Sequence, residues 1–335
     1  MSEPQPEQQL VQMIIGSWVS RAIYVAAKLR IADLLADGPR PAEGLAQAAG
    51  VAPRPLYRLL RALAGVGAFA QQAGGRFRLN PLAEPLREGG PESLRGLAVM
   101  VGEEQFRCWG DLFETVRTGE VAFDRLFGRP VFAYLAEHPE EAEIFDAAMT
   151  GFSGRAMRAM LDAYDLSDVR TLADVGGGLG TNLAAALVRY PAMRGLLFDQ
   201  PQVVERARPR LEAAGVLGRC AVEGGDFFQE APGGADAYLL GHILHDWDDA
   251  RAGLILDNLR RAMPAGAKLL LVECVLPEGD GAPFGKLLDL QMMVVFGGLE
   301  RTEEEYRRLL AAHGFRLTRV VPTAGEHSVI EAVPA

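Results

Sequence analysis

From Thr171 onward, short apolar runs (TLADV, GLLFD, CAVEGG, DAYLLG and KLLLVE) alternate with stretches of helical periodicity at the spacing of β-α-β units. A strand that returns parallel to its predecessor needs a long crossover, and a helix supplies it. This half of the chain is therefore an α/β domain with a mostly parallel sheet. A helix from Thr302 to His313 and two last strands, FRLTRVV and HSVIEAV, follow, the strands close enough in sequence to be antiparallel neighbours. Before about residue 166 the texture is nearly all helical, so two domains are expected, residues 1–165 and 166–335.

In the first of these, apolar residues recur at helical spacing from Leu10 to about Leu35, through Val11, Ile14, Ile15, Trp18, Val19, Ile23, Val25 and Leu29. They cover more than one helix face, and the excess face is expected to meet a partner subunit. Residues 40–80 read as helix, glycine-containing turn, second helix and a hairpin turning at Gly74 and Gly75, a winged helix-turn-helix outline. Its Arg40, Arg54, Arg58, Arg61, Arg76 and Arg78 suit a DNA reader. With Leu56, Leu59, Leu60 and Leu63 as core, the same unit serves equally as a packing or dimerisation module. Further helices are expected from Glu92 to Thr118, around Phe132–Leu135 and from Pro139 to about Tyr164.

Composition removes several classes. Charged residues make up 23% and hydrophobic ones 49%, which excludes a disordered or coiled-coil chain. A net charge of −10 opposes nucleic acid or an anionic membrane as the partner of the whole chain. Cys108, Cys220 and Cys274 are too few and too scattered for a disulfide framework or a thiolate metal site. The opening MSEPQPEQQL is polar and acidic and no apolar run approaches 18 residues, so a cytoplasmic protein is expected.

The first strand of the α/β domain runs into Asp174-Val175-Gly176-Gly177-Gly178-Leu179-Gly180-Thr181. Glycines at a strand-to-helix turn let backbone approach a ligand closely. A dinucleotide fingerprint spaces its glycines G-x-G-x-x-G, and here Thr181 stands at the last position; a phosphate P-loop lacks its Gly-Lys-Ser/Thr altogether. The next strand ends in Asp199, an acceptor for both hydroxyls of a ribose. The third ends in Gly225-Asp226-Phe227-Phe228, an acceptor for an adenine amino group beside an aromatic face. In order along successive strands, these features indicate an adenosine-containing cofactor, and Gly176-x-Gly178-x-Gly180 favours S-adenosylmethionine (SAM) over NAD.

With DVGGGLG (174–180), GDFF (225–228), HDWDD (245–249) and GGLERTEEEY (297–306), nearly the whole chain resembles the plant-type SAM-dependent small-molecule O-methyltransferases and their bacterial natural-product relatives. The resemblance implies a class I SAM-methyltransferase domain, Rossmann-like, preceded by a mainly α-helical winged-helix domain that forms a homodimer and also lines the acceptor pocket. It resolves the choice above in favour of dimerisation. It implies SAM as cofactor, S-adenosylhomocysteine as product, and a planar aromatic or polyketide-like acceptor in secondary metabolism. Asp174, Gly176, Gly178, Asp199, Gly225, Asp226, Phe227 and Gly241 match its cofactor-binding positions. Many plant members carry Lys four residues before the motif histidine, where this chain has Gly241.

His245 matches the family's general base, and Glu273 and Glu300 the acids that flank it. A phenol starts near pKa 10, and a histidine near 6.5 is expected to be mostly neutral at pH 7 and free to take its proton. A metal reading of His245, Asp246, Asp248 and Asp249 is disfavoured, because adjacent residues at a helix start diverge and Asp248 or Asp249 is better placed to cap the helix that follows. His242, three residues before His245, reads as a structural strand-end histidine, and His138, His313 and His327 have no motif around them. Acceptor contacts are implied for Phe106, Trp109, Met149, Phe152, Asp289, Met292, Met293 and Phe296, mostly apolar or aromatic side chains suited to clamping a flat ring. Asp289 is expected either to bond an acceptor hydroxyl or to face solvent. Competing readings are a relative that methylates nitrogen, or that hydroxylates or catalyses a pericyclic reaction while retaining SAM, and a SAM-sensing winged-helix transcription factor.

Overall fold

The computed structural model describes residues 5–89 and 93–335. The chain divides into two compact units, Met1–Arg107 with His138–Gly151, and Cys108–Glu137 with Phe152–Ala335. One cut near residue 166 does not separate these, for a packing reason. Cys108, Phe123 and Val131 share a buried cluster with Val294 and Val295, and Met157, Met160 and Tyr164 share another with Leu172, Leu187 and Leu239.

In the first unit, helices Pro6–Ile14, Gly16–Lys28, Ala42–Ala49 and Pro53–Gly65 precede the hairpin Ala70–Gln72 and Arg76–Arg78, whose second strand also pairs with Arg40–Pro41. This is the winged-helix outline, turning at Gly74 and Gly75 with φ of 75° and 71°. Leu45, Leu56, Leu60, Leu63, Phe69 and Phe77 are its buried core, while Arg54, Arg58 and Arg61 are exposed. The first helix buries nothing: Leu10, Val11, Met13, Ile14 and, just after it, Trp18 are 54% to 75% exposed. No single described helix is long and apolar enough to cross a membrane.

The second unit is built on a seven-stranded sheet. Its strands are β1 (Thr171–Val175), β2 (Arg194–Asp199), β3 (Cys220–Gly224), β4 (Ala237–Gly241), β5 (Lys268–Glu273), β6 (Phe315–Pro322) and β7 (Ser328–Pro334). The spatial order is β6-β7-β5-β4-β1-β2-β3, with β1 to β5 parallel and β7 antiparallel to both β5 and β6. Alternate side chains serve opposite faces. Ala173, Val175, Leu196, Phe198, Tyr238 and Leu240 join one core beneath helices Asp249–Ala262 and Glu303–Ala312, and Leu172, Leu197, Leu239 and Leu270 join the other beneath Thr181–Arg189 and Pro201–Ala213. The order reverses at β1, between β2 and β4, which opens a crevice at the carboxyl ends of these strands.

Candidate active site

The glycine turn sits at that reversal. Gly178, at φ 56°, presents its amide to Asp199 Oδ2 at 2.8 Å, joining the end of β1 to the end of β2. Asp199 Oδ1 takes the Gln200 amide at 2.7 Å. A Cβ on Gly176 would lie 2.6 Å from Ile243 and 3.4 Å from Phe227, so the residues after β3 and β4 close on the same turn. Gly225 follows β3 directly against Phe198. Asp226 caps its own turn, accepting from the Phe228 amide and from Gln229 Nε2, both at 2.9 Å. At the end of β4, a Cβ on Gly241 would lie 3.0 Å from Asn182 Nδ2; the carboxamide of Asn182 takes the space a side chain there would fill, and its Oδ1 is buried without a partner. Asn182 carried no signal in the sequence.

Asp174, at the end of β1, is 1% exposed and neither carboxylate oxygen has a hydrogen-bond partner. Burial, with the charge of Asp199 nearby, pushes it up to about 7. A buried, unpaired carboxylate calls for a cation.

His245 lies just past β4 in the short turn Leu244–Asp246, whose start is held by Glu273 at the end of β5. Glu273 Oε1 accepts the amides of Ile243 at 3.0 Å and Leu244 at 2.9 Å. Glu300 arrives from the other side. The strand pair Val275–Leu276 and Arg301–Thr302 runs parallel just beyond the two glutamates, and a Cβ on Gly298 would lie 2.0 Å from the His245 carbonyl, so only glycine lets the two loops approach this closely. Glu300 Oε1 stands 2.6 Å from His245 Nδ1, Glu273 Oε2 3.5 Å from the same nitrogen, and Asp246 Oδ1 3.6 Å from Nε2. All four side chains are buried.

The expectation of a mostly neutral imidazole needs correction. Burial opposes a charge on His245, but Glu273, Glu300 and Asp246 outweigh it and raise the group to about 10. Burial in turn pushes Glu273 and Asp246 up to about 7 each. The ligating atoms of His245, Glu273 and Glu300 lie within 4.8 Å of one another, near enough for a metal ion, yet the shortest of these separations is a hydrogen bond. Asp248 accepts the Arg251 amide at 2.8 Å and caps the helix Asp249–Ala262, and Asp249 pairs with Arg301, so neither joins the histidine.

The residues expected around an acceptor divide. Phe106 and Met149 belong to the first unit, where the guanidinium of Arg21 lies 4.3 Å over the Phe106 ring. The others belong to the second. Trp109 donates to Gln291 Oε1, and Phe296 meets Phe132, which in turn meets Trp247. Met292 is buried and Met293 partly so, both in the π-helical turn Met292–Phe296. Phe152 meets the ring of His327 edge to face and those of His242 and Phe284 at a tilt. Asp289 is half-buried and accepts the Glu300 amide at 2.9 Å, holding the glutamate's loop instead of facing solvent.

Acids at the ends of adjacent parallel strands, a glycine turn at the strand-order reversal and a buried histidine with carboxylate partners define a class: an α/β enzyme that binds an adenosine cofactor. Within it, residues 109–316 match the O-methyltransferase domain and residues 11–88 the O-methyltransferase dimerisation domain, and the chain belongs to this methyltransferase family. It is 51% identical to a phenazine O-methyltransferase of Lysobacter antibioticus, across 97% of this chain and 95% of that one. An 8-amino-8-demethylriboflavin N,N-dimethyltransferase of Streptomyces davaonensis is 39% identical, across 97% and 94%. The crystal structure of human N-acetylserotonin methyltransferase in complex with SAM superposes with a TM-score of 0.92 at 28% identity, covering 100% of this chain and 99% of that one. The protein is a SAM-dependent methyltransferase.

The residues present fit that cofactor. SAM carries an ammonium and a sulfonium, and Asp174 offers two buried oxygens with no protein partner. This makes Asp174 a costly residue in the unliganded fold. Its raised value means that the carboxylate costs nothing below the ordinary carboxylate range and its full penalty above about 7. Asp174→Asn is therefore expected to be more stable than the wild type at pH 8, by at most about 4 kcal/mol, with the gain vanishing toward pH 4. SAM affinity should fall in the same variant. Thermal unfolding across that pH range, beside calorimetric titration with SAM, checks both; a stability difference independent of pH would show that the carboxylate carries no burial penalty.

Proposed function

We propose that the chain is a homodimeric, cytoplasmic O-methyltransferase of secondary metabolism, acting on a hydroxyl of a planar aromatic or polyketide-like small molecule. The observation that carries this reading is the 2.6 Å contact of His245 Nδ1 with Glu300, which leaves Nε2 as the ring atom for an acceptor proton. When bound, SAM supplies an electrophilic methyl for in-line displacement by the acceptor oxygen. Gly176, Gly178, Asp199, Gly225, Asp226, Phe227 and Gly241 would hold it, and the Asp174 carboxylate would offset its positive charge. Phe152 and the residues around Phe296 and Trp109, all in the second unit, flank the acceptor. Exposed Val11, Met13, Ile14 and Trp18, in the segment matching the dimerisation domain, are the surface that a second copy covers.

His245 and its acids act as one titrating unit. The three acids favour the imidazolium, so they stabilise the charge that forms when the deprotonated ring takes the acceptor's proton, and the deprotonated ring that begins the step grows as pH rises. Glu273 and Asp246, taking up protons near pH 7, remove charges that hold the proton on His245.

Nitrogen methylation is the second reading, favoured by the N,N-dimethyltransferase among the relatives. Incubation with methyl-labelled SAM and paired planar acceptors, one bearing a phenolic hydroxyl and the other an aromatic amine in its place, tests the two. The expected product carries the label on oxygen. Label found only on the amine would overturn the oxygen assignment.

A further inference from the structure

Two buried imidazoles beside His245 have no task in the chemistry above. His242, 8% exposed, and His327, 6% exposed, meet edge to face with ring centroids 4.4 Å apart, and the His242 ring lies 5.7 Å from that of His245. Phe152 packs against both, at 5.3 Å and 5.4 Å, and carries Phe284 behind it. Ser153 Oγ lies 3.3 Å from His242 Nδ1. The Nε2 atoms of His242 and His327 are buried and neither has a hydrogen-bond partner.

Both residues are built in at some cost. His242 sits at φ 58°, a left-handed conformation unfavourable for its side chain, while its amide bonds the Val272 carbonyl at 3.1 Å. His327 immediately precedes β7, its carbonyl clasped by the amide and hydroxyl of Thr323 at 3.3 Å and 2.7 Å. A buried polar atom without a partner costs about 1–3 kcal/mol. Two of them, on rings packed against Phe152, call for a ligand that pairs them.

The geometry points to His242 and His327 as specificity-determining residues whose Nε2 atoms hold a second oxygen substituent of a planar aromatic acceptor, on the ring position next to the hydroxyl served by His245. Bonds from His242 and His245 converging on one ring reach oxygens a few ångströms apart, the spacing of ortho or peri substituents. A hydroxyl fits the pair well, since it both donates and accepts and a neutral imidazole offers one site of each kind. Burial, with the charge on His245 added, holds His327 down at about 4 and His242 well below the ordinary range, so both are neutral readers that leave the protonation of His245 to its acids. This assignment rests on the reading of His245 as the group that takes the acceptor's proton.

Binding of 2,3-dihydroxynaphthalene and of 2-naphthol to the protein loaded with S-adenosylhomocysteine, followed by calorimetry, tests it apart from turnover. The wild type is expected to bind the diol about tenfold more tightly, the worth of one good hydrogen bond. His327→Phe keeps the ring and loses its nitrogens. His242→Asn tolerates the left-handed backbone and shortens the reach. Each should bring the two affinities within about twofold while the affinity for 2-naphthol holds. Equal binding of both naphthols by the wild type, or a preference intact in both variants, overturns the proposal. A diol bound with the expected preference but never methylated would instead sink the O-methyltransferase reading and leave the acceptor subsite standing.

Discussion

His245→Ala is expected to lower turnover by about two to four decades, the usual worth of a general base, with little change in SAM affinity. The two effects separate because the imidazole is held by Glu300 and Glu273, not by the glycine turn and strand-end acids assigned to the cofactor. A residual rate of that size would come from orientation alone. The companion variant Glu300→Gln removes the nearest negative charge from a histidine that three acids raise to about 10. The sign is fixed: with one stabilising charge gone, the imidazolium loses its proton at lower pH. The alkaline rise of kcat/KM should therefore move downward by about 1–3 pH units in Glu300→Gln. Calorimetry with SAM and the pH profiles of both variants decide the matter. Near-full activity in His245→Ala, or an unmoved profile in Glu300→Gln, would end the case for this base.

What could be read beforehand follows from how local each feature is. Alternating short apolar runs and helical stretches, together with the closing pair FRLTRVV and HSVIEAV, announced a parallel sheet ending in an antiparallel hairpin, and the sheet has that form. The hairpin at Gly74 and Gly75 was equally legible, since φ is positive at both. The division near residue 166 was not legible in the same way. Texture changes there, but packing does not respect it, because Met157, Met160 and Tyr164 bury themselves against Leu172 and Leu239. His245, Glu273 and Glu300 announced themselves through the motifs around them; the charge state of His245 did not, because it depends on three carboxylates brought together from β5 and two loops. His242 and His327 read as unremarkable for a related reason. They are 85 residues apart in sequence and meet at 4.4 Å only because β7 inserts between β5 and β6. Arg301 stands in the acidic run ERTEEE, yet it is 1% exposed.

Removing Arg301 is expected to be the most destabilising single change in this region. Its guanidinium donates to the carbonyls of Leu244 at 3.0 Å, Trp247 at 2.9 Å and Leu299 at 3.4 Å, and pairs with Asp249 at 2.8 Å. The first two carbonyls belong to the loop carrying His245, and the third to the loop carrying Glu300. One planar fork thus stitches the histidine's loop to its partner's, a task for which the point charge of lysine is poorly shaped. Asp249 is 72% exposed, so the ion pair itself is worth little. The cost lies in the carbonyls, each about 1–3 kcal/mol if left without a donor. Arg301→Met, which keeps the length of the side chain, should lose about 3 kcal/mol or more and lower Tm by about 10 °C. Arg301→Lys should recover part of this. A purely structural role would stop there. Because the same carbonyls fix the separation of His245 from Glu300, the kcat/KM profile of Arg301→Met, measured below its melting range, should shift downward in pH as in Glu300→Gln. An unshifted profile in a destabilised Arg301→Met would mean that the two loops keep their register without the arginine, and that Leu299 donating its amide to the His245 carbonyl at 2.9 Å is enough to hold the histidine to its acid.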